Sequence, residues 1–231
     1  MGSYRNPPHH PYARKVVVVA DAMFMREQFG VLVLRDPHEK ENLHWREIQR
    51  ETVSSYRDAI TSLQERGFTI EALVVDGKRG VKEAFSDIPI QMCHFHQVKT
   101  VTRYITKNPK LPASIELRRI VLTLKDSNEE AFTEKLQQWY EKWSDFLKER
   151  TVDTVTGKTQ FTHRRLRSAY FSLKRNLPYL FTFEKHPELH IPKTTNSLEG
   201  LFSHIKTSLR VHRGLSREKK RILIGVLLRG K

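Results

Sequence analysis

The sequence predicts an α/β fold: a mixed β-sheet with helices on its faces and a long helical block inserted before a closing helix. Three observations predict it. Short β-branched runs alternate with helix-period segments through the first hundred residues. The next eighty residues carry helical periodicity with no strand signal, and a last amphipathic segment follows them.

Taken in order, residues 1–14 are rich in Pro, His and Tyr without periodicity and read as a tail. Residues 15–20 (KVVVVA) form a buried strand that ends at Asp21. Residues 29–35 (FGVLVLR) follow closely enough for an antiparallel hairpin, and 42–49 (NLHWREIQ) alternate loosely as a third strand. Within 51–66, Val53, Tyr56, Ile60 and Leu63 have the spacing of an amphipathic helix that Gly67 stops. Residues 70–75 (IEALVV) form another strand, ending at Asp76; 80–85 make a short helix and 88–92 a last short strand. Helical patterns then cover 114–124, 128–149 and 162–176, and 196–209 close the fold with Asn196 or Ser197 near the helix cap. The organisation is a tail (1–14), a first part of the sheet domain (15–98), a helical insertion (99–180), and a last part with basic C-terminal helices (181–231).

A chain of 231 residues buries roughly 70–75% of its unfolded surface and needs no disulfide staple. The single cysteine, Cys93, rules out an intrachain disulfide and suits a reducing compartment. No apolar run approaches about 20 residues, and MGSYRNPPHH lacks the apolar stretch of a signal peptide, so the expected location is cytoplasmic. Charge is lopsided. The whole chain carries +15, yet residues 161–231 hold 16 Lys/Arg against 4 Asp/Glu, leaving only +3 for the first 160. A concentrated positive field attracts polyanions, nucleic acid foremost.

Two acids then stand out. Asp21 and Asp76 follow the first and fourth strands, the end of a sheet that commonly carries functional groups. If those strands are neighbours, the carboxylates lie side by side, and Glu199 at the start of a late helix completes a cluster. Three such groups repel one another unless a hard divalent cation, Mg²⁺ or Mn²⁺, bridges them. Two such ions about 4 Å apart stabilise the attacking and leaving oxygens of phosphodiester cleavage.

The stretches VVVVADAMF, ALVVDGKRG, IPIQMCHFHQ, FTHRRLRSAYFSLKRNLPYLFTF, TTNSLEG and HRGLS, in this order and spacing, make the chain resemble bacterial insertion-sequence transposases of the mutator-like DDE superfamily, in the subgroup with a zinc-binding N-terminal region. The resemblance implies an RNase H-like sheet with an α-helical insertion, and carries the catalytic, metal-binding roles to Asp21, Asp76 and Glu199. It implies two Mg²⁺ or Mn²⁺ ions, transposon ends and target DNA as partners, a homo-oligomer assembled on DNA, and Asn196 as support for the active site. Relatives carry a zinc ribbon and DNA-binding region ahead of the first strand. With 20 residues before Asp21, this chain is expected to be truncated there. The competing readings are an inactive DNA-binding relic and a structure-specific RNase H-like nuclease.

Cys93 and His96 form the C-x-x-H that follows the second acid in that family. The pair has the spacing of two Zn²⁺ ligands, with His186 and His190 as candidates to complete the set, or of a structural motif without metal. Arg164, Arg165, Arg167, Lys174 and Arg175 lie at helical spacing around Tyr170 and Phe171, a basic face suited to DNA phosphates. Lys206, Arg210 and Arg213 belong to a second basic group beyond Glu199. Trp139 and Trp143 share a helical stripe with Leu136 and Phe146, which predicts a core role.

Overall fold

The β-branched runs of the first 75 residues assemble into one sheet because each has two apolar faces to bury. In the computed structural model, which describes residues 14–25 and 29–229, five strands adopt the order β3-β2-β1-β4-β5. They are β1 (Lys15–Phe24), β2 (Gly30–Asp36), β3 (Glu41–Ile48), then helix α1 (Val53–Glu65), β4 (Thr69–Val75), helix α2 (Val81–Ala84) and β5 (Ile90–Met92). The first three strands pair antiparallel, whereas β1–β4 and β4–β5 are parallel. The mixed sheet is as the sequence predicts, with β1 and β4 adjacent. The tail stretch lies outside the described residues except for Arg14, which ion-pairs with Asp36 (3.0 Å) and Glu41 (2.9 Å).

Period-two alternation divides the side chains between two cores. Val16, Val18 and Ala20 of β1 pack with Tyr56, Ile60 and Leu63 of α1. Helix α1 starts where the Thr52 hydroxyl accepts the Ser55 amide and stops before Gly67, whose φ of 85° suits glycine. Val17 and Val19, with Val31, Val33, Ala72 and Val74, face the other way.

After β5 the chain turns helical: α3 (His94–Ile105), α4 (Pro112–Leu122) and α5 (Glu129–Lys148), whose Asn128 cap accepts the Ala131 amide. Two departures from the sequence reading appear here. Helix α3 begins directly at the end of β5. A hairpin of β6 (Arg150–Val152) and β7 (Thr159–Phe161) interrupts the block where no strand was expected. Then come α6 (Arg164–Leu180) and the short α7 (Thr182–Lys185). Trp139 takes the core role: it is 3% exposed, donates its indole N–H to the Ala113 carbonyl (2.9 Å) and stacks on Tyr170. Trp143, packed at the edge of the same core, donates to Glu116 (2.8 Å).

A buried polar seam fixes this block to the sheet domain. Lys82 of α2 donates to the Asn176 side-chain carbonyl (2.5 Å), and the Asn176 amide donates to Gln97 of α3 (2.7 Å). Burial lowers the pKa of Lys82, and its ammonium rests over the Tyr179 ring. The chain ends in α8 (Asn196–Val211) and α9 (Arg217–Arg229), which cover the second sheet face with Leu198, Phe202, Ile205, Leu209, Ile224 and Leu228. Among the described residues no helix is long and apolar enough to cross a membrane.

Candidate active site

The sheet register brings the first two acids together. Parallel pairing of β1 with β4 runs to Val19 opposite Val74. Two residues further on, Asp21 and Asp76 stand level with each other. Both also continue the alternation that carries Val17, Val19, Ala72 and Val74 to the face beneath α8. One detail departs from the sequence reading: Asp21 does not end its strand. Strand β1 continues to Phe24, held by β2, so Asp21 occupies the point where the parallel partner stops while the antiparallel one continues. That makes it both rigid and accessible from the β4 side.

The residues after Asp76 form a tight turn. The Lys78 amide donates to the Asp76 carboxylate (2.9 Å), and Gly77 sits at φ 89°. A Cβ at Gly77 would lie 2.4 Å from the Met92 methyl, the movable end of a flexible side chain, so it is the positive φ that calls for glycine there.

Glu199 arrives on the first turn of α8, whose start is bonded to the end of β5. The Thr195 amide and hydroxyl donate to Cys93 Sγ (3.3 and 3.5 Å), and the His94 amide donates to the Lys193 carbonyl (2.9 Å). Cys93 is fully buried, and burial raises its thiol pKa. The cap position of α8 is Thr195, whose hydroxyl donates to Cys93 and caps no helix amide; Asn196 is the helix's first residue and exposed, so the side-chain cap expected of Asn196 is not made.

The C-x-x-H pair divides at the strand-to-helix junction. Cys93 holds α8, whereas His96, one turn into α3, reaches the acids. One carboxylate oxygen each from Asp21 and Glu199 and one ring nitrogen of His96 all lie within 4.8 Å of one another, with His96 Nε2 3.8 Å from Glu199 Oε1. Among the described residues this is the one group of three or more potential metal ligands so gathered. The sequence reading paired His96 with Cys93 and missed its place beside Glu199. Its signal was positional: His96 lies four residues past the end of β5, on the first turn of the helix that starts there.

Asp76 faces the same cavity of about 450 Å³, which Asp21, Lys78, His96, Lys99 and Arg103 also line. Burial first, and then the charge of Asp76, pushes the Asp21 carboxyl from 3.8 up to about 7. Burial lowers the pKa of His96 against the opposing pull of Asp76 and Glu199. A further acid escaped the sequence reading. Glu51, just ahead of α1, accepts the Tyr56 hydroxyl (2.7 Å), and burial and Asp76 raise its pKa.

With this geometry in place, the family follows from comparison. The family model for "Transposase, Mutator family" matches residues 35–224. The chain belongs to the Mutator family of transposases. No curated protein matched it. Within this Mutator transposase the matched span includes Asp76 and Glu199, while Asp21 precedes it. Membership brings transposition, and with it DNA as the partner.

The basic residues fall into distinct settings. Arg164, Lys174 and Arg175 are exposed on α6, and Lys206, Arg210 and Arg213 are exposed on or just after α8. Arg165 donates to the Arg103 carbonyl (2.8 Å), while Arg167 donates to the Leu147 carbonyl (2.8 Å) and lies over the Phe161 ring. Those two cations are held by the protein's own groups at defined positions.

Proposed function

We propose that Asp21, Asp76 and Glu199 are the catalytic acids of a DDE transposase on an RNase H-like domain, cutting a DNA strand at an element's end and joining its 3′-hydroxyl to target DNA. Membership in the family and the convergence of Asp21 and Glu199 within 4.8 Å of each other and of His96 carry this reading, with Asp76 outside that group but lining one cavity with Asp21. The carboxylates fit Mg²⁺ or Mn²⁺: Asp21, lifted to about 7 by burial and its neighbour Asp76, and Glu199 are hard oxygen donors in need of cationic charge, with the His96 nitrogen beside them as a further donor. When bound there, two such ions supply charge stabilisation to the attacking and leaving oxygens of an in-line displacement.

The chain's own part is positioning. β1 and β4 hold Asp21 and Asp76 level, and the Lys78 amide fixes the orientation of the second carboxylate. Cys93 and Thr195 fix the start of α8, so Glu199 approaches from a helix that cannot slide. The +12 of residues 161–231 draws DNA to this side of the chain by phosphate contact rather than sequence. In this reading the protein is a bacterial insertion-sequence enzyme of the subgroup with a zinc-binding N-terminal region, acting on nucleoid DNA as a homo-oligomer.

Wild type and Glu199→Gln, assayed side by side on pre-nicked DNA with Mg²⁺, Mn²⁺ or chelator, test the reading. Metal-dependent cutting or strand transfer is expected from wild type alone, with DNA binding equal in both. A wild type inert with every metal yet tightly bound to DNA would establish the relic, and equal cutting by Glu199→Gln would remove Glu199 from the chemistry.

A further inference from the structure

Helix α3 has two faces of different chemistry. His94, Gln97, Val101 and Ile105 are buried, Gln97 in the polar seam with Asn176. The opposite stripe, at i, i+3, i+4 and i+7, is His96, Lys99, Thr100 and Arg103, and all four line the cavity that holds Asp21 and Asp76. Lys99 and Arg103 are exposed, and Lys78 reaches the same cavity from the DGKRG turn.

Three cations and two carboxylates thus share one cavity, yet none of these cations forms an ion pair with a carboxylate among the described residues. A cation near a helix C-terminus complements the helix dipole, which accounts for Arg103 alone. Lys99, in the middle of α3, has no such role. Opposite charges set facing each other across a gap, rather than in contact, suit a ligand that is itself anionic and meets cations on both sides. The row also continues: the Arg165 guanidinium donates to the Arg103 carbonyl, so the cations run from Lys99 along α3 to the start of α6.

We infer that the Lys99–Arg103 stripe of α3 is a phosphate rail, binding successive phosphates of the DNA strand that enters the acidic cleft. The inference rests on the reading of the acids as the cutting centre. Four residues of helix rise about 6 Å, and duplex phosphates on one strand advance 3.4 Å along the axis per nucleotide. Adjacent phosphates lie farther apart through space than that axial advance, so Lys99 and Arg103 are spaced to reach neighbouring phosphates of one strand. Arg103 presents a planar fork to a phosphate and Lys99 a point charge, and neither reads a base. The rail fixes which linkage lies over the acids.

The test is a binding measurement in chelator, independent of cutting. Fluorescence anisotropy of a nicked duplex, with intact duplex as competitor, is followed against salt for wild type, Lys99→Ala, Arg103→Ala and the charge-keeping Lys99→Arg and Arg103→Lys. Each alanine variant is expected to flatten the slope of log K against log[salt] by about 0.9, while the charge-keeping variants hold it. Neutral methylphosphonate linkages beside the nick should weaken wild type but add nothing to the loss in the alanine variants. For Lys174→Ala and Arg175→Ala, on the outer face of α6, the linkage effect should persist undiminished. Should an alanine variant lose its circular dichroism signal, Lys99→Gln and Arg103→Gln take its place. An unchanged slope, or a linkage effect that survives in the Lys99 and Arg103 variants, would make the stripe a solvated face. A rail that binds while no metal gives cutting would overturn the catalytic reading and leave this one standing.

Discussion

Replacing Asp21 by asparagine is expected to stabilise the metal-free protein at alkaline pH, although it destroys the cluster. Asp21 is 8% exposed, and its carboxyl is raised from 3.8 to about 7 by burial and by Asp76. At about 1.4 kcal/mol per pH unit, that rise is a cost to the folded state of about 4 kcal/mol once the group is ionised. The sign follows from where the proton binds more tightly, which is the folded state. The cost is absent below about pH 4, grows between about 4 and 7, and is complete above about 7. Asparagine keeps the shape, and its Oδ1 still accepts the Ala22 amide, which Asp21 binds at 2.8 Å. Urea unfolding in chelator should therefore show the variant more stable by about 4 kcal/mol at pH 8 and about 1.5 at pH 5. Added Mg²⁺ should narrow the gap at pH 8 by stabilising wild type alone. Parallel pH–stability curves for the two proteins would refute the reasoning, because they would mean that Asp21 titrates as an ordinary surface acid.

Further substitutions follow from single contacts. Trp139→Ala removes a buried indole stacked on Tyr170 together with its hydrogen bond to the Ala113 carbonyl, so denaturant unfolding should show a loss of about 3–5 kcal/mol, with the salt slope of DNA binding unchanged. Cys93→Ala leaves the buried Thr195 amide without its acceptor; a loss of about 1–3 kcal/mol is expected, together with a larger fall in strand cutting than in DNA binding, since Glu199 rides on the helix that Thr195 starts. Gly77→Ala forces a side chain into φ 89° and against Met92, and should cost about 1–3 kcal/mol in thermal or denaturant unfolding while displacing Asp76 and reducing cutting.

Much of the sheet was legible because a strand buried on two faces writes an unbroken apolar run, as in KVVVVA and IEALVV. Helices α1 and α5 announced themselves by period, while their caps, Thr52 and Asn128, were not read from the sequence. The acids' adjacency depended on strand order, which apolar runs do not encode; their placement before turns suggested it. Three features escaped the sequence reading. The β6–β7 hairpin buries almost nothing, every residue of β6 being exposed, so it lacks the alternation that marks a strand. The continuation of β1 past Asp21 is set by its antiparallel partner, not by its own composition. His96 looked like the companion of Cys93 because spacing is linear, while the chain changes from strand to helix between them and sends the two side chains to different partners.

The sheet's second face has a consequence for how the chain is made. Val17, Val19, Val31, Val33, Trp45, Ala72 and Val74 are covered by α8 and α9, helices that follow all five strands of the sheet in the chain. While more than a hundred residues leave the ribosome after β4, that apolar surface waits uncovered and prone to association. Glu199 arrives on the same helix that begins to shield it. Translation that stops short of α8 therefore leaves this apolar face of the sheet exposed and prone to association.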